Sequence, residues 1–147
     1  METLHTTLLQ MKSALEELDA IMVAEANQLD RPQINPVALQ VLTDSKSQLL
    51  ATLQHHDEMR LQQEASLAIA APYPHRVQLF VCWQQITERV RRSKALNSEV
   101  EARLQHHLEK TQRVQKVVDQ VGHHHTLYGS DGESGPAVVG RKYDISV

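Results

Sequence analysis

Apolar side chains at Leu4, Leu8, Met11, Leu15, Leu18 and Met22 recur at alternating steps of four and three residues, and the row continues through Glu25 to Leu29. A 3.5-residue repeat held for more than three heptads predicts a helix packed at a shallow angle against another helix. Glu25 alone breaks the row, which is read first as packing that frays towards the helix end, with a register-setting residue as the alternative. Pro32 disfavours continued helix, and Asn35 followed by Pro36 is a good N-cap with proline at the first helical position. A joint this short implies an antiparallel hairpin. The second helix carries Leu39, Leu42, Leu49, Leu50, Leu53 and Met59. Its apolar side weakens beyond His56 and Arg60, so its far end is expected to pack loosely. Alanine-rich residues 68–71 then lead into Pro72-Tyr73-Pro74, read as a rigid extended joint.

The run from Arg76 to Val121 contains neither Gly nor Pro and carries Trp83, Ile86, Val90, Val100, Leu104, Leu108, Val114, Val118 and Val121 on one helical stripe. At 1.5 Å per residue it reaches roughly 70 Å, and it is taken as the element around which the chain is arranged. Its opening turn, Val77 to Trp83, is apolar nearly all round and is expected to be the most buried part of the molecule. Gly122 is a normal place for it to stop. Residues 123–147 hold four of the five glycines and no helical period, which predicts a mobile tail, with a short extended piece at Tyr143 to Val147. The expected architecture is all-α: an antiparallel three-helix bundle, or coiled-coil hairpin, over 1–122, with helices at about 2–30, 36–69 and 75–121 and a flexible C-terminal tail. The first two helices are shorter than the third, so part of Leu104 to Val121 is expected to lack cover and to offer a groove for another helix.

Composition fits this picture. With 147 residues, 41% hydrophobic and 3% aromatic, the chain is one domain whose core is aliphatic, suited to narrow helical seams. Cys82 is the only cysteine, which excludes an intramolecular disulfide and argues against a thiolate metal site. No signal-peptide pattern and no membrane-span window is present, so a cytoplasmic protein without stable membrane insertion is expected. The net charge of −3 is unevenly spread. Residues 1–75 hold four Lys or Arg against ten Asp or Glu, and residues 76–121 hold nine against five. An acidic front half and a basic third helix are what intramolecular pairing favours.

The candidate chemistry is sparse. Adjacent histidines at 55–56 and 106–107 point about 100° apart on a helix and cannot chelate together, and His123-His124-His125 lies in the tail. The glycines at 129, 132, 135 and 140 lack the Gly-Lys-Ser/Thr and strand-to-helix context of a phosphate loop. Arg89, Arg91, Arg92 and Lys94 form a basic cluster without interleaved aromatics, better read as a solvated face or one turned to the acidic hairpin than as a nucleic-acid surface. Cys82 beside Trp83 is expected to be inert. These readings point to a binding protein, not an enzyme, with no cofactor and no metal. Leu127-Tyr128 is an apolar and aromatic pair in a polar tail, open to partner docking or to folding back on the bundle.

The chain resembles the FlgN family of flagellar export chaperones over nearly its whole length. The resemblance rests on Ala24-Glu25 and Leu29, on Lys46, Leu49, Leu50, Leu53 and Arg60, on Trp83 with Ile86, on Leu96-Asn97, and most specifically on Thr126-Leu127-Tyr128-Gly129-Ser130-Asp131-Gly132. It departs at Val100-Glu101, where the family commonly has Asn-Gly. The resemblance implies a cytosolic chaperone that binds the C-terminal helical regions of the hook-filament junction proteins FlgK and FlgL, prevents their premature assembly and delivers them to the export gate. Carried over residue by residue, Leu104, Leu108, Val114, Val118 and Val121 receive the substrate helix. By the same resemblance, Leu127, Tyr128, Gly129, Asp131 and Gly132 are expected to dock on the cytosolic domain of the gate protein FlhA. The alternative is a structural coiled-coil adaptor whose stripe closes a permanent homo-oligomer.

Overall fold

A computed structural model describes residues 2–122. It consists of α1 (Glu2–Leu29, 28 residues), α2 (Pro36–Leu67, 32 residues) and α3 (Val77–Val121, 45 residues), and there is no strand among the described residues. Ser93 donates to Asp19 (2.6 Å), and Arg89 and Arg103 pair with Glu16 (3.2 Å) and Asp30 (3.0 Å), so numbering rises together along α1 and α3. Lys46 donates to Asn97 (3.0 Å) and the Arg60 guanidinium lies 4.4 Å from the centre of the Trp83 ring, so α2 runs the other way. The chain therefore folds up, down and up.

The organising element is α1, not the long third helix. Leu4, Leu8, Met11, Leu15, Leu18 and Met22 retain no exposed surface, and α1 packs closely against both other helices. Between α2 and α3 the longer side chains of Lys46 and Arg60 span the gap. The opening of α3 is only half enclosed: Leu79, Cys82, Trp83 and Ile86 turn inward, while Val77 and Val81 face solvent. An end helix flanked on one side alone can bury one stripe, not its whole circumference.

The first joint forms as the residue types require. The Asn35 side chain accepts from the N–H groups of Val37 (3.1 Å) and Ala38 (3.2 Å) and caps α2, with Pro36 in its first turn, satisfying donors that a helix start leaves open. The second joint departs from the expected extended form. Ala68 and Tyr73 both take left-handed backbone conformations, with φ of 54° and 59°. For Tyr73 the cost of that conformation is offset by its side chain, which is buried edge-on to Trp83 and donates its hydroxyl to Glu64.

Two expectations about packing are corrected here. Glu25 does not mark fraying: it is buried, its carboxylate lies 3.1 Å from Lys46 Nζ, and Thr43 donates to it at 3.5 Å. Burial pushes the Glu25 carboxyl above its usual range, with Lys46 and Thr43 opposing. Nor is the far end of α2 loose. Thr43, Lys46, Leu50, Leu53, Asp57, Arg60 and Glu64 keep the four-three spacing to the end and are all buried. Most of these positions are polar, so a search for apolar residues sees the stripe vanish. Arg60 bonds Asp57 (2.8 Å) and Glu64 (2.6 Å) in place of apolar contact. Burial pulls its guanidinium pKa down, but the bonds with Tyr73, Asp57 and Glu64 outweigh this and hold it above its ordinary value. The Tyr73 hydroxyl is raised by burial and by the neighbouring Glu64.

Candidate functional site: the overhang of the third helix

The buried residues of α3 include Leu79, Trp83, Ile86, Val90, Ser93, Asn97 and Val100, spaced four, three, four, three, four and three. The same beat continues without a break through Leu104, His107, Thr111, Val114, Val118 and Val121. What changes along it is the cover. At Val100 the seam still packs on Ala26 and Leu29, with Ile34, Leu39 and Leu104 closing around them. Arg103 donates to the Ala26 carbonyl (3.2 Å) and to Asp30 (3.0 Å), and the His107 Nε2–H donates to the Leu29 carbonyl (2.5 Å). The Ala26 carbonyl already accepts the Asp30 N–H (3.1 Å) and takes Arg103 as a second donor, while the Leu29 carbonyl belongs to the last turn, whose acceptors have no partner further along the helix.

There the cover stops. α1 finishes at Leu29 and α2 begins at Pro36, so from Glu109 to Val121 every side chain is exposed. This overhang extends roughly 20 Å at 1.5 Å per residue. Val114, Val118 and Val121 are 57%, 51% and 79% exposed on the seam itself, and Val117 beside them is 57% exposed. Among the described residues the remaining faces bind within α3 itself: Gln115 donates to Asp119 (3.1 Å), Gln105 to Glu109 (3.4 Å), and Thr111 to the His107 carbonyl (2.9 Å). Such i,i+4 contacts sustain helix locally but leave the valine row bare.

The proposed partner residues thus fall into two groups. Leu104 and Leu108 are half-buried at the root of the overhang, Leu104 already engaged with the Ala26–Leu29–Val100 cluster. Val114, Val118 and Val121 are free on one face. Val117 was missed by a stripe read from Leu104 through Leu108; following the four-three beat from Trp83 places Leu108 on a flank and brings Val117 beside Val118. Leu127, Tyr128, Gly129, Asp131 and Gly132, like the triple histidine and the glycine-rich stretch, lie outside the described residues.

Arg89 turns to the acidic face of α1, while Arg91 pairs with Glu88 (2.6 Å) on its own helix. Cys82 is buried in the main core, and burial raises its thiol pKa, with Lys12 opposing, which keeps it in the unreactive thiol form. No helix among the described residues is long and apolar enough to cross a membrane.

Comparison with known proteins agrees with the resemblance in the sequence. The family model described as FlgN protein matches residues 1–135. The flagella synthesis protein FlgN of Yersinia enterocolitica is 34% identical over 145 residues, covering 98% of each chain. That of Salmonella typhimurium is 34% identical over 143 residues, 97% of each chain. That of Escherichia coli K12 is 30% identical over 133 residues, 90% of this chain and 91% of the relative. No solved structure matches. With helices, seam and tail motif all inside the matched region, the chain belongs to the FlgN family of flagella synthesis proteins.

Proposed function

We propose that this FlgN-family protein is a cytosolic export chaperone that holds the C-terminal helical regions of FlgK and FlgL on the overhang of α3 and delivers them to the cytosolic domain of FlhA. The observation that supports this most strongly is a helical seam that keeps its register past the last residue able to cover it, leaving Val114, Val118 and Val121 bare. An amphipathic helix laid on that row buries the apolar face it would otherwise use in assembly. The row is short, so the contact is weak enough to be released. The reading requires no covalent step. Leu104 and Leu108 form the root of the surface, and Leu127, Tyr128, Gly129, Asp131 and Gly132 are proposed as the FlhA contact.

The test is a pull-down of a FlgK C-terminal fragment and of the FlhA cytosolic domain. Val114→Asp with Val118→Asp should abolish FlgK capture while circular dichroism stays helical. Tyr128→Ala should spare FlgK and weaken FlhA. Retained FlgK capture by the double variant counts against the overhang, and equal loss of both partners in Tyr128→Ala counts against the division of labour.

A further inference from the structure

The two flanks of the α3 seam are not equivalent, and the difference selects where a partner helix lies. One flank is occupied at seven-residue steps by Arg89, Leu96 and Arg103. Arg89 reaches Glu16 (3.2 Å) and Asp19 (4.0 Å), Leu96 packs on the main core, and Arg103 reaches Asp30 (3.0 Å) and the Ala26 carbonyl (3.2 Å). This flank is the lane of α1. The other flank, Lys94 and Glu101, is exposed even where α2 lies alongside. Continuing by sevens, the α1 flank carries Lys110 and Val117 in the overhang, and the opposite flank carries Leu108 and Gln115.

Building on the chaperone reading, we infer that the partner helix docks in the lane of α1, prolonging its line beyond Leu29, with an apolar 3.5-residue row on Val114, Val117, Val118 and Val121 and an acidic side chain against Lys110. Three observations carry this. The established α1–α3 interface runs in unbroken register onto the overhang, and within the exposed stretch 109–121 Val117 widens the apolar strip on that flank where the other carries Gln115. The cations already on that flank, Arg89 and Arg103, each meet a carboxylate of α1, and Lys110 is the next cation in the series. A partner helix with acidic residues beside its apolar row complements it.

The experiment is calorimetric titration of the full-length protein with the FlgK C-terminal fragment at low salt, with circular dichroism to verify helicity. Val117→Asp should weaken binding at least about tenfold and Lys110→Glu about three- to tenfold, while Gln115→Asp on the opposite flank stays within about twofold. The Lys110→Glu effect should shrink as salt is added. Gln115→Asp weakening binding as much as Val117→Asp overturns the assignment of the lane. Loss of binding in Val114→Asp with Val117→Asp and Lys110→Glu unaffected also overturns it, leaving the chaperone reading intact. Undiminished binding by Val114→Asp, or no binding by the unaltered protein, overturns both.

Discussion

Glu25 and Lys46 are the residues whose chemistry is least apparent from their neighbours in sequence. Each is buried, and each is the other's counter-charge at 3.1 Å. Removing one partner strands a charge away from water, so Glu25→Gln or Lys46→Met alone should cost about 3–5 kcal/mol. The pair itself contributes little beyond what apolar packing would, so Glu25→Leu combined with Lys46→Met should recover most of the loss. Urea denaturation of the four proteins checks this, and simple addition of the two single costs would contradict it. His56 offers a pH test at the same scale. Burial, then its neighbour His55, hold its pKa below the ordinary histidine value, and its buried Nδ1 has no hydrogen-bond partner among the described residues. The unfolded chain therefore binds the proton more readily, and the stability from neutral His56 is full above its unfolded pKa and lost as pH falls through the folded one. The thermal midpoint should drop less between about pH 7 and pH 5 in His56→Gln than in the unaltered protein. Parallel curves would remove His56 from the account.

At the scale of elements, α2 shows how a helix can be bound tightly through a mostly polar seam. Arg60→Ala leaves Asp57 and Glu64 beside a vacated site and Trp83 without its cation, and should destabilise by about 3–5 kcal/mol. Tyr73→Phe loses the hydroxyl's bonds with Glu64 and Arg60 and should cost about 1–2 kcal/mol, because the ring stays packed against Trp83 and Arg60 keeps both carboxylates. A Tyr73→Phe loss as large as that of Arg60→Ala, by denaturant midpoint, would contradict this ranking. The same helix marks the limit of what the sequence made legible. The leucine heptads of α1, the Asn35-Pro36 start of α2 and the length of α3 could all be read, because each is a local pattern of apolarity or backbone preference. The inward face of Asp57, Arg60 and Glu64, the burial of Glu25 and the folded-back Tyr73 could not, since charged side chains become seam residues only when their partners arrive from elsewhere in the fold. The same limit hid the central place of α1. The length of α3 suggested a scaffold, whereas complete burial on two sides belongs to the shorter helix. At the overhang the apolar row was legible and its full membership was not; Val117 needed the register that the buried half of α3 fixes.

At the scale of the molecule, residues 2–122 form a closed bundle with one open end. The main core and the cluster at Ala26, Leu29 and Val100 bury the seam up to the turn between α1 and α2, and the overhang contributes little to folding. Self-association and capture of a partner helix compete for the same valine row. Two copies bring eight valines, each gaining roughly 1–2 kcal/mol at best, a total of the same size as the roughly 4–15 kcal/mol that joining two molecules costs. The chaperone reading expects a monomer by sedimentation at about 10 µM, and a tight dimer dispersed by Val114→Asp would instead support the adaptor reading. Hydrogen exchange tests the central claim most directly, because it reports amide by amide whether the end of α3 is supported from within. In the free protein the amides of 109–121 should exchange far faster than those around Ile86 and Val90, and addition of the FlgK C-terminal fragment should slow them selectively. Overhang amides already as protected as the core in the free protein, or unchanged once the fragment is bound, would contradict the account.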